Sequence, residues 1–245
     1  MFQKLRKSKK LVLIAMACAT FAIAGCGSDT TKSTADNGKS VTWSETFDGT
    51  KTDFAVKSSP THAVSMSQAT TEMMLQLGLE DKMAGTAFKE EEIYPPLQAA
   101  YDKVKVLSDK WPSYEVFMSV KPDFATGWPD SFSKRAIPAD KMIAQKVNIW
   151  LPESMLSTKA DLETNFNDMI KLGEIFGVKP KAEEWVAGQR KTLEAIQTKL
   201  KDLPRKRVFI YDSEDGQPFT AFEGYTTNIL KLIGADNVMS GLGVD

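Results

Sequence analysis

Residues able to carry out nucleophilic or acid–base chemistry are sparse in this sequence. His62 is the only histidine, so a Ser–His–Asp triad would have to use it. Neither the Gly-x-Ser-x-Gly turn of hydrolases nor the Gly-x-x-x-x-Gly-Lys phosphate loop occurs. A single histidine also argues against zinc or manganese sites that need several histidine ligands. The residue types therefore predict no catalytic residue and no bound metal of the protein's own.

Aromatic and basic side chains are better candidates, for binding rather than for reaction. Trp128, Trp111 and Phe88 could stack on a flat ligand, although packing in the core is the alternative for each. Trp128 is the strongest of the three because it precedes Pro129 in a loop. Three bases could balance an anionic ligand or simply be solvated: Lys89, Lys110 and Arg135.

The charge distribution argues against a nucleic-acid partner. The formal net charge is −1, but residues 1–25 hold five bases and no acid, which leaves 26 bases against 32 acids in the remainder. Binding to nucleic acid requires clustered Lys and Arg, and the remainder has no such patch. The acidic run at residues 90–92 is interpreted as a solvated loop rather than a metal cluster.

The first 26 residues are typical of an export signal. Five bases are followed by an apolar run from Leu11 to Gly25, too short for a membrane span and suitable for a secretory signal. Ile-Ala-Gly-Cys26 resembles the lipobox of bacterial lipoproteins, in which the signal is cut before a cysteine that is then lipidated. The alternative is a plain secretory signal. The resemblance predicts an exported protein anchored to the cell membrane through Cys26, with residues 26–40 as a tether.

The rest of the chain has an α/β pattern. Residues 41–54 suggest a hairpin, and from Thr61 onward short apolar runs alternate with helical stretches. The strand candidates are residues 63–66, 82–87, 104–107, 122–128 and 147–151. Residues 161–203 are helical, with an apolar seam that could belong to a coiled coil or adhesive surface, or to a helix laid across two lobes. Residues 207–212 read as a buried strand. The alternation indicates a mostly parallel sheet covered by helices.

Four motifs, in order, carry a family resemblance. Residues 65–79 (SMSQATTEMMLQLGL) and 112–123 (PSYEVFMSVKPD) resemble segments of periplasmic-binding-type lipoproteins for siderophores, haem and cobalamin. Ile-Phe-Gly177 with Ala182, and residues 234–238 (GADNV), are similar to two later landmarks of that family. The resemblance runs from about Thr61 to Val238.

The resemblance implies two Rossmann-like α/β lobes joined by a long helix, with the ligand in the cleft between them. Open α/β sheets bind ligands beyond the carboxyl ends of their strands. The expected ligand-binding residues are Ser67, Gln68, Phe88, Lys89, Trp111, Trp128, Arg135, Glu153 and Ser213. The expected ligand is an iron–siderophore complex, with cobalamin or haem as alternatives, and a surface enzyme on a similar fold as a rival.

The resemblance also implies a membrane partner. In the family, a Glu at the position of Glu115 docks an Arg pocket of the ABC permease, and a carboxylate matches a guanidinium in charge and geometry. The alternative is an acid that complements the positive end of a helix. Capture by a monomer and delivery to an ABC permease is the expected function.

The expected domains are a signal peptide (1–25), a tether (26–40), an N-terminal lobe (41–160), a helical connector (161–203) and a C-terminal lobe (204–245). A βα unit takes about 30 residues, so the last segment is too short for a matching lobe. We therefore expect a truncated second lobe that lacks a further docking acid.

Overall fold

The structure, a computed structural model, describes residues 40–242. The expected signal peptide, Cys26 and nearly all of the tether lie outside these residues. Within the described range, no helix is both long enough and apolar enough to cross a membrane. The two-lobe domain boundaries remain a prediction.

A hairpin opens the described chain. Strands β1 (Val41–Phe47) and β2 (Thr50–Val56) pair antiparallel, joined by Asp48 and Gly49. Both turn residues have positive φ, 47° and 77°, as a two-residue turn of the type that matches strand twist requires. On one face, Trp43 stacks on Phe54 at 5.7 Å between ring centroids.

Five parallel strands form the main sheet, in the order β5-β4-β3-β6-β7. They are β3 (Ala63–Met66), β4 (Met83–Ala87), β5 (Val106–Ser108), β6 (Phe124–Gly127) and β7 (Asn148–Trp150). Every residue of the central strands β3 and β6 is buried, as expected for parallel strands covered on both faces. The strand–helix alternation predicted from the sequence is confirmed.

Short helices connect these strands. They are α1 (Gln68–Gln76), α2 (Gln98–Tyr101), α3 (Tyr114–Ser119) and α4 (Ala139–Ala144). Ser67 and Ser113 begin α1 and α3 as N-caps, each accepting a hydrogen bond from the backbone N–H three residues on. Helix α1 therefore starts directly at the carboxyl edge of the sheet, where a ligand site is expected.

Two antiparallel helices follow the sheet. Helix α5 (Leu162–Ile175) begins with a capping box between Asp161 and Thr164, and α6 (Lys179–Leu200) begins after a turn at Gly177. The helices approach so closely that a Cβ added to Gly173 would lie 2.6 Å from the Cβ of Ala182. Of the apolar seam in α6, only Val186 is buried, and Ile196 is 40% exposed.

The C-terminal part holds a second, smaller α/β unit. Strands β8 (Lys206–Val208) and β11 (Ala235–Asn237) pair in parallel, with β9 (Ser213–Glu214), β10 (Pro218–Phe219) and helix α7 (Tyr225–Leu232) between them. The buried strand predicted at 207–212 is wrong: β8 is three residues long, and Tyr211 is 56% exposed. In the described residues β8 pairs on one side only, so little apolar surface covers it.

Candidate ligand-binding site

The carboxyl edge of the main sheet brings three aromatic residues together. Phe88 follows β4 directly, Trp128 follows β6 directly, and Trp111 lies three residues beyond β5. Because parallel strands share one carboxyl edge, the three rings meet there. A depression of about 410 Å³, which we call the aromatic pocket, is lined by Phe88, Glu90, Trp111, Trp128, Pro129 and Asp130.

One wall of the aromatic pocket is a fixed pair of rings. Phe88 stacks on Trp111 with centroids 4.7 Å apart and planes 18° from parallel. The indole Nε1 of Trp111 donates a 3.1 Å hydrogen bond to the carbonyl oxygen of Met66 at the end of β3. Phe88 has φ of 59°, a left-handed conformation that is costly for a bulky residue and is typical of ligand-binding sites.

Trp128 forms another part of the pocket lining, and a hydrogen bond to Glu90 holds its ring. Trp128 Nε1 donates a 3.2 Å hydrogen bond to Oε2 of Glu90, and Pro129 opens a 3-10 turn immediately after it. The hydrogen bond fixes one edge of the indole, while its body lines the depression. Glu90 belongs to the acidic run interpreted from the sequence as a solvated loop, and it is exposed in the structure.

A second acid lines the aromatic pocket together with its own partner. Asp130 accepts a hydrogen bond from Arg135 over 2.6 Å, and the Arg135 side chain is 73% exposed. Arg135 therefore lies at this edge of the site but is not part of the lining. Contact between Arg135 and a ligand stays a prediction.

Gln68 holds the loop that carries Glu90. Its Oε1 accepts hydrogen bonds from the backbone N–H groups of Glu90, at 3.0 Å, and Glu91, at 2.7 Å. Its Nε2 donates to the Glu72 carboxylate at 2.9 Å and to the Glu92 carbonyl at 3.1 Å. Three of these hydrogen bonds join the amide to the loop at residues 90–92 and the fourth joins it to Glu72 of the same helix, so Gln68 positions the loop.

The other predicted site residues lie apart from the lining. Ser67 is completely buried and caps α1 by accepting a hydrogen bond from Thr70 N–H, so its position favours a structural role. Lys89 is exposed and is not in the lining. Glu153 follows β7 at the same sheet edge, whereas Ser213 is an exposed residue of the C-terminal unit. The aromatic pocket therefore contains Phe88, Trp111 and Trp128 from the predicted set.

The SMSQATT motif has a structural explanation beneath the pocket. The hydroxyl of Thr71 donates to Ser65 Oγ at 2.8 Å and shares a 2.6 Å hydrogen bond with Thr86 Oγ1. Ser65 also shares a 2.7 Å hydrogen bond with Thr70 Oγ1. These buried hydroxyls join the start of α1 to β3 and β4, so the motif fixes the sheet edge on which the pocket is built.

Two buried acids, neither predicted, hold the chain after β7. Glu45 accepts a 3.0 Å hydrogen bond from Leu151 N–H, and Asp168 accepts hydrogen bonds from Glu153 N–H at 2.8 Å and Ser154 N–H at 2.9 Å. Burial raises the pKa of Glu45 to about 7, and the pKa of Asp168 is raised for the same reason. The segment that follows β7 is therefore held by two buried carboxylates, one from β1 and one from α5.

A larger groove of about 610 Å³ lies elsewhere, between α1, α5 and α6, where Met73, Met169 and Trp185 are part of its lining. It is bounded by helix faces rather than strand ends and contains no aromatic residue predicted to bind ligand. We place the candidate site in the smaller depression because its aromatic side chains converge at the carboxyl edge of a parallel sheet. In residues 40–242, no three potential metal ligands cluster.

Comparisons with known proteins agree with this geometry. A family model described as "Periplasmic binding protein" matches residues 64–243. The chain belongs to the periplasmic binding protein family. The resemblance inferred from the four motifs is therefore confirmed, and with it the α/β fold class of the protein.

Two curated relatives are ABC-transporter and vitamin-binding proteins by name. The chain is 26% identical over 240 residues to the uncharacterized ABC transporter substrate-binding lipoprotein YvrC of Bacillus subtilis (strain 168), covering 94% of this chain and 73% of that one. It is 24% identical over 180 residues to a vitamin B12-binding protein of Vibrio vulnificus (strain YJ016), covering 73% of this chain. The chain spans 61% of the length of the latter.

Solved structures share the fold. A periplasmic binding protein from Veillonella parvula DSM 2008 has a TM-score of 0.84 and 96% identity. The match covers 85% of the present chain and 70% of the Veillonella chain. A structure titled as an ABC-type Fe3+-hydroxamate transport system, from Saccharomonospora viridis DSM 43017, has a TM-score of 0.61 and 18% identity, covering 80% and 70% of the two chains.

Proposed function

We propose that this periplasmic binding protein captures an iron–siderophore complex in the aromatic pocket and delivers it to the permease of an ABC importer. The observation that carries the proposal is the convergence of Phe88, Trp111 and Trp128 at the carboxyl edge of a parallel sheet. The stacked, hydrogen-bonded rings offer a rigid apolar surface, which suits a bulky chelate better than a flexible solute.

Cobalamin and haem are the alternative ligands, because both also present flat apolar faces. The relative named for vitamin B12 and the structure titled for Fe3+-hydroxamate support different ligands at similar levels of identity. A surface enzyme is the less supported rival, since the lining offers no histidine, cysteine or hydroxyl nucleophile. Capture of the ligand requires no covalent step.

Glu115 is the proposed contact with the permease. It is exposed in the first turn of α3, which begins at Ser113. Hydrogen bonds from its own backbone N–H and from the Ser113 hydroxyl lower the pKa of Glu115, so it is ionised at neutral pH. An exposed, ionised carboxylate on the first lobe is suited to an arginine-rich partner. Anchoring through Cys26 would keep the protein close to that partner.

Titration of the purified protein with ferric hydroxamates, ferric catecholates, haem and cobalamin tests the proposed function. We expect quenching of tryptophan fluorescence and a measurable Kd by calorimetry for at least one chelate, with the ligand recovered unchanged. Chemical turnover of the ligand, or no binding of any chelate, would overturn the proposal.

Two matched variants test whether the chelate binds in the aromatic pocket or in the larger groove between the helices. Trp128→Ala removes a ring from the aromatic pocket, whereas Trp185→Ala removes one from the larger groove between the helices. We expect Trp128→Ala to weaken chelate binding by about tenfold and Trp185→Ala to leave it unchanged, provided that both variants melt cooperatively. The reverse pattern would move the site to the helical groove.

A further inference from the structure

The aromatic pocket is acidic. Of the residues that line it, Glu90 and Asp130 are carboxylates, and none is Lys or Arg. The sequence offered Lys89 and Arg135 either as bases that balance an anionic ligand or as solvated residues, and both lie outside the lining. The charged residues of the lining itself are therefore all acids.

The two carboxylates differ in their partners. Asp130 is paired with Arg135, so much of its charge is balanced at the rim. Glu90 forms no ion pair with any residue in the described range, and its one side-chain hydrogen bond is from Trp128 to Oε2. The second oxygen, Oε1, is therefore available to a group on the ligand.

The position of Glu90 is enforced by the backbone. Gln68 Oε1 accepts a hydrogen bond from Glu90 N–H, and Trp128 Nε1 donates one to the Glu90 carboxylate. The backbone and the side chain of Glu90 are therefore each held by a hydrogen bond. Glu90 is exposed, and these two hydrogen bonds keep its carboxylate at the side of the pocket. Aromatic faces beside it add attraction for cations and none for anions.

We infer that the aromatic pocket selects metal chelates that carry no net negative charge, with Glu90 as the residue that sets this preference. The inference rests on the proposed function and narrows its ligand class. Three hydroxamates neutralise Fe3+, and a free amine on such a chelate makes it cationic. Three catecholates leave the chelate strongly anionic, so it would meet the like charge of Glu90 beside the aromatic rings.

The test compares ferric chelates that differ mainly in charge. The purified protein is titrated by calorimetry with a cationic tris-hydroxamate bearing a free amine, a neutral tris-hydroxamate and an anionic tris-catecholate. Cobalamin and haem, as a neutral and an anionic macrocycle, form separate arms. We expect the catecholate to bind at least about tenfold more weakly than either hydroxamate, and added salt to narrow the gap.

Charge-removing variants assign the preference to one side chain. Glu90→Gln keeps an acceptor for Trp128 Nε1 but removes the charge, and Glu91→Gln is its control, since Glu91 is exposed and outside the lining. We expect Glu90→Gln to reduce the hydroxamate-over-catecholate ratio severalfold and Glu91→Gln to leave it unchanged. Trp128 keeps its partner in Glu90→Gln, so a loss of fold is not the expected result.

The outcomes separate this inference from the proposed function. Catecholate binding as tight as hydroxamate binding, or an unchanged ratio in Glu90→Gln, would overturn the inference while capture of chelates stands. Binding of cobalamin but of neither hydroxamate would keep the charge rule and move the ligand class to corrinoids. Preference for haem over cobalamin would contradict the charge rule. No binding of any chelate would overturn both.

Discussion

The indole Nε1 of Trp128 lies 3.2 Å from the carboxylate of Glu90 and donates a hydrogen bond to it. The two residues come from different strand exits, after β6 and β4, and are 38 positions apart in the chain. Their contact closes one side of the aromatic pocket. It also joins the ring most suited to stacking with the one lining carboxylate that has no cationic partner in the described residues.

Replacing Trp128 with Phe separates stacking from this hydrogen bond. The phenyl ring retains an apolar face, so we expect Trp128→Phe to lose less chelate affinity than Trp128→Ala. The lost hydrogen bond is worth about 0.5–1.5 kcal/mol. Calorimetry on both variants measures the difference. Equal losses in the two variants would show that the indole N–H, and not the ring face, is what matters.

Gln68→Ala should loosen the loop that carries Glu90. The amide N–H groups of Glu90 and Glu91 both donate to Gln68 Oε1, so in the variant we expect faster hydrogen exchange at both and weaker chelate binding. Gln98→Ala is the control, because Gln98 makes a single exposed side-chain contact with Asp102. Unchanged exchange in Gln68→Ala would remove its positioning role.

Glu45→Gln should change the pH dependence of stability. The folded-state pKa of Glu45 is about 7 against an ordinary value of 4.5, because burial disfavours the charged form. From pH 4.5 to 7 the unfolded state releases a proton that the folded state retains, so this group lowers stability as pH rises through that window. Above pH 7 its full cost is on the order of 3 kcal/mol.

Gln retains an acceptor for Leu151 N–H but cannot ionise. We expect Glu45→Gln to match the wild type near pH 4.5 and to be more stable at pH 8, measured by denaturant unfolding at each pH. A difference between the two proteins that is constant with pH would refute the titration of Glu45.

The stability effects of alanine substitution at two glycines, one in α5 and one in α6, should have opposite signs. A Cβ at Gly173 would meet the Cβ of Ala182 at 2.6 Å, so Gly173→Ala should destabilise the fold by about 1–3 kcal/mol. Gly188 has nothing within 4 Å of the same position, so Gly188→Ala should stabilise α6 by about 0.5–1 kcal/mol. Thermal unfolding measures both. Similar effects at the two positions would contradict the close packing of α5 and α6.

Glu115→Ala should reduce import without reducing affinity. Asp140→Ala is the matched control, because Asp140 is likewise an exposed acid in the first turn of a short helix, α4. We expect normal chelate binding in both variants, and reduced uptake of labelled chelate by cells only with Glu115→Ala. Normal uptake with that variant would exclude the docking role.

The sheet and its aromatic exits were predictable because each signal is local. Apolar runs separated by helical stretches specify parallel strands, and a ring placed just after such a run lies at the carboxyl edge wherever the strands pair. Phe88 and Trp128 satisfy this directly. The family resemblance supplied the ligand class to which such an edge belongs.

The acids were missed for two different reasons. Glu90 stands in a run of three glutamates, which composition alone assigns to solvent, and only the pairing with Trp128 distinguishes it. Glu45 had a signal: Trp43, Glu45 and Phe47 alternate in β1, so they share one face. A charge between two aromatics on a core-facing strand marks a buried carboxylate. Ser67 illustrates an ambiguity of the sequence, because a hydroxyl at a strand exit is also the preferred helix cap.

The turn between α5 and α6 has a consequence for how these two helices move. Val178 N–H donates a 2.7 Å hydrogen bond to the Gly173 carbonyl, and Ala182 fills the space beside Gly173. Because the turn is closed this tightly, we expect α5 and α6 to move as a single unit rather than to bend apart. Amide hydrogen exchange in the two helices should then speed up or slow down together when conditions change.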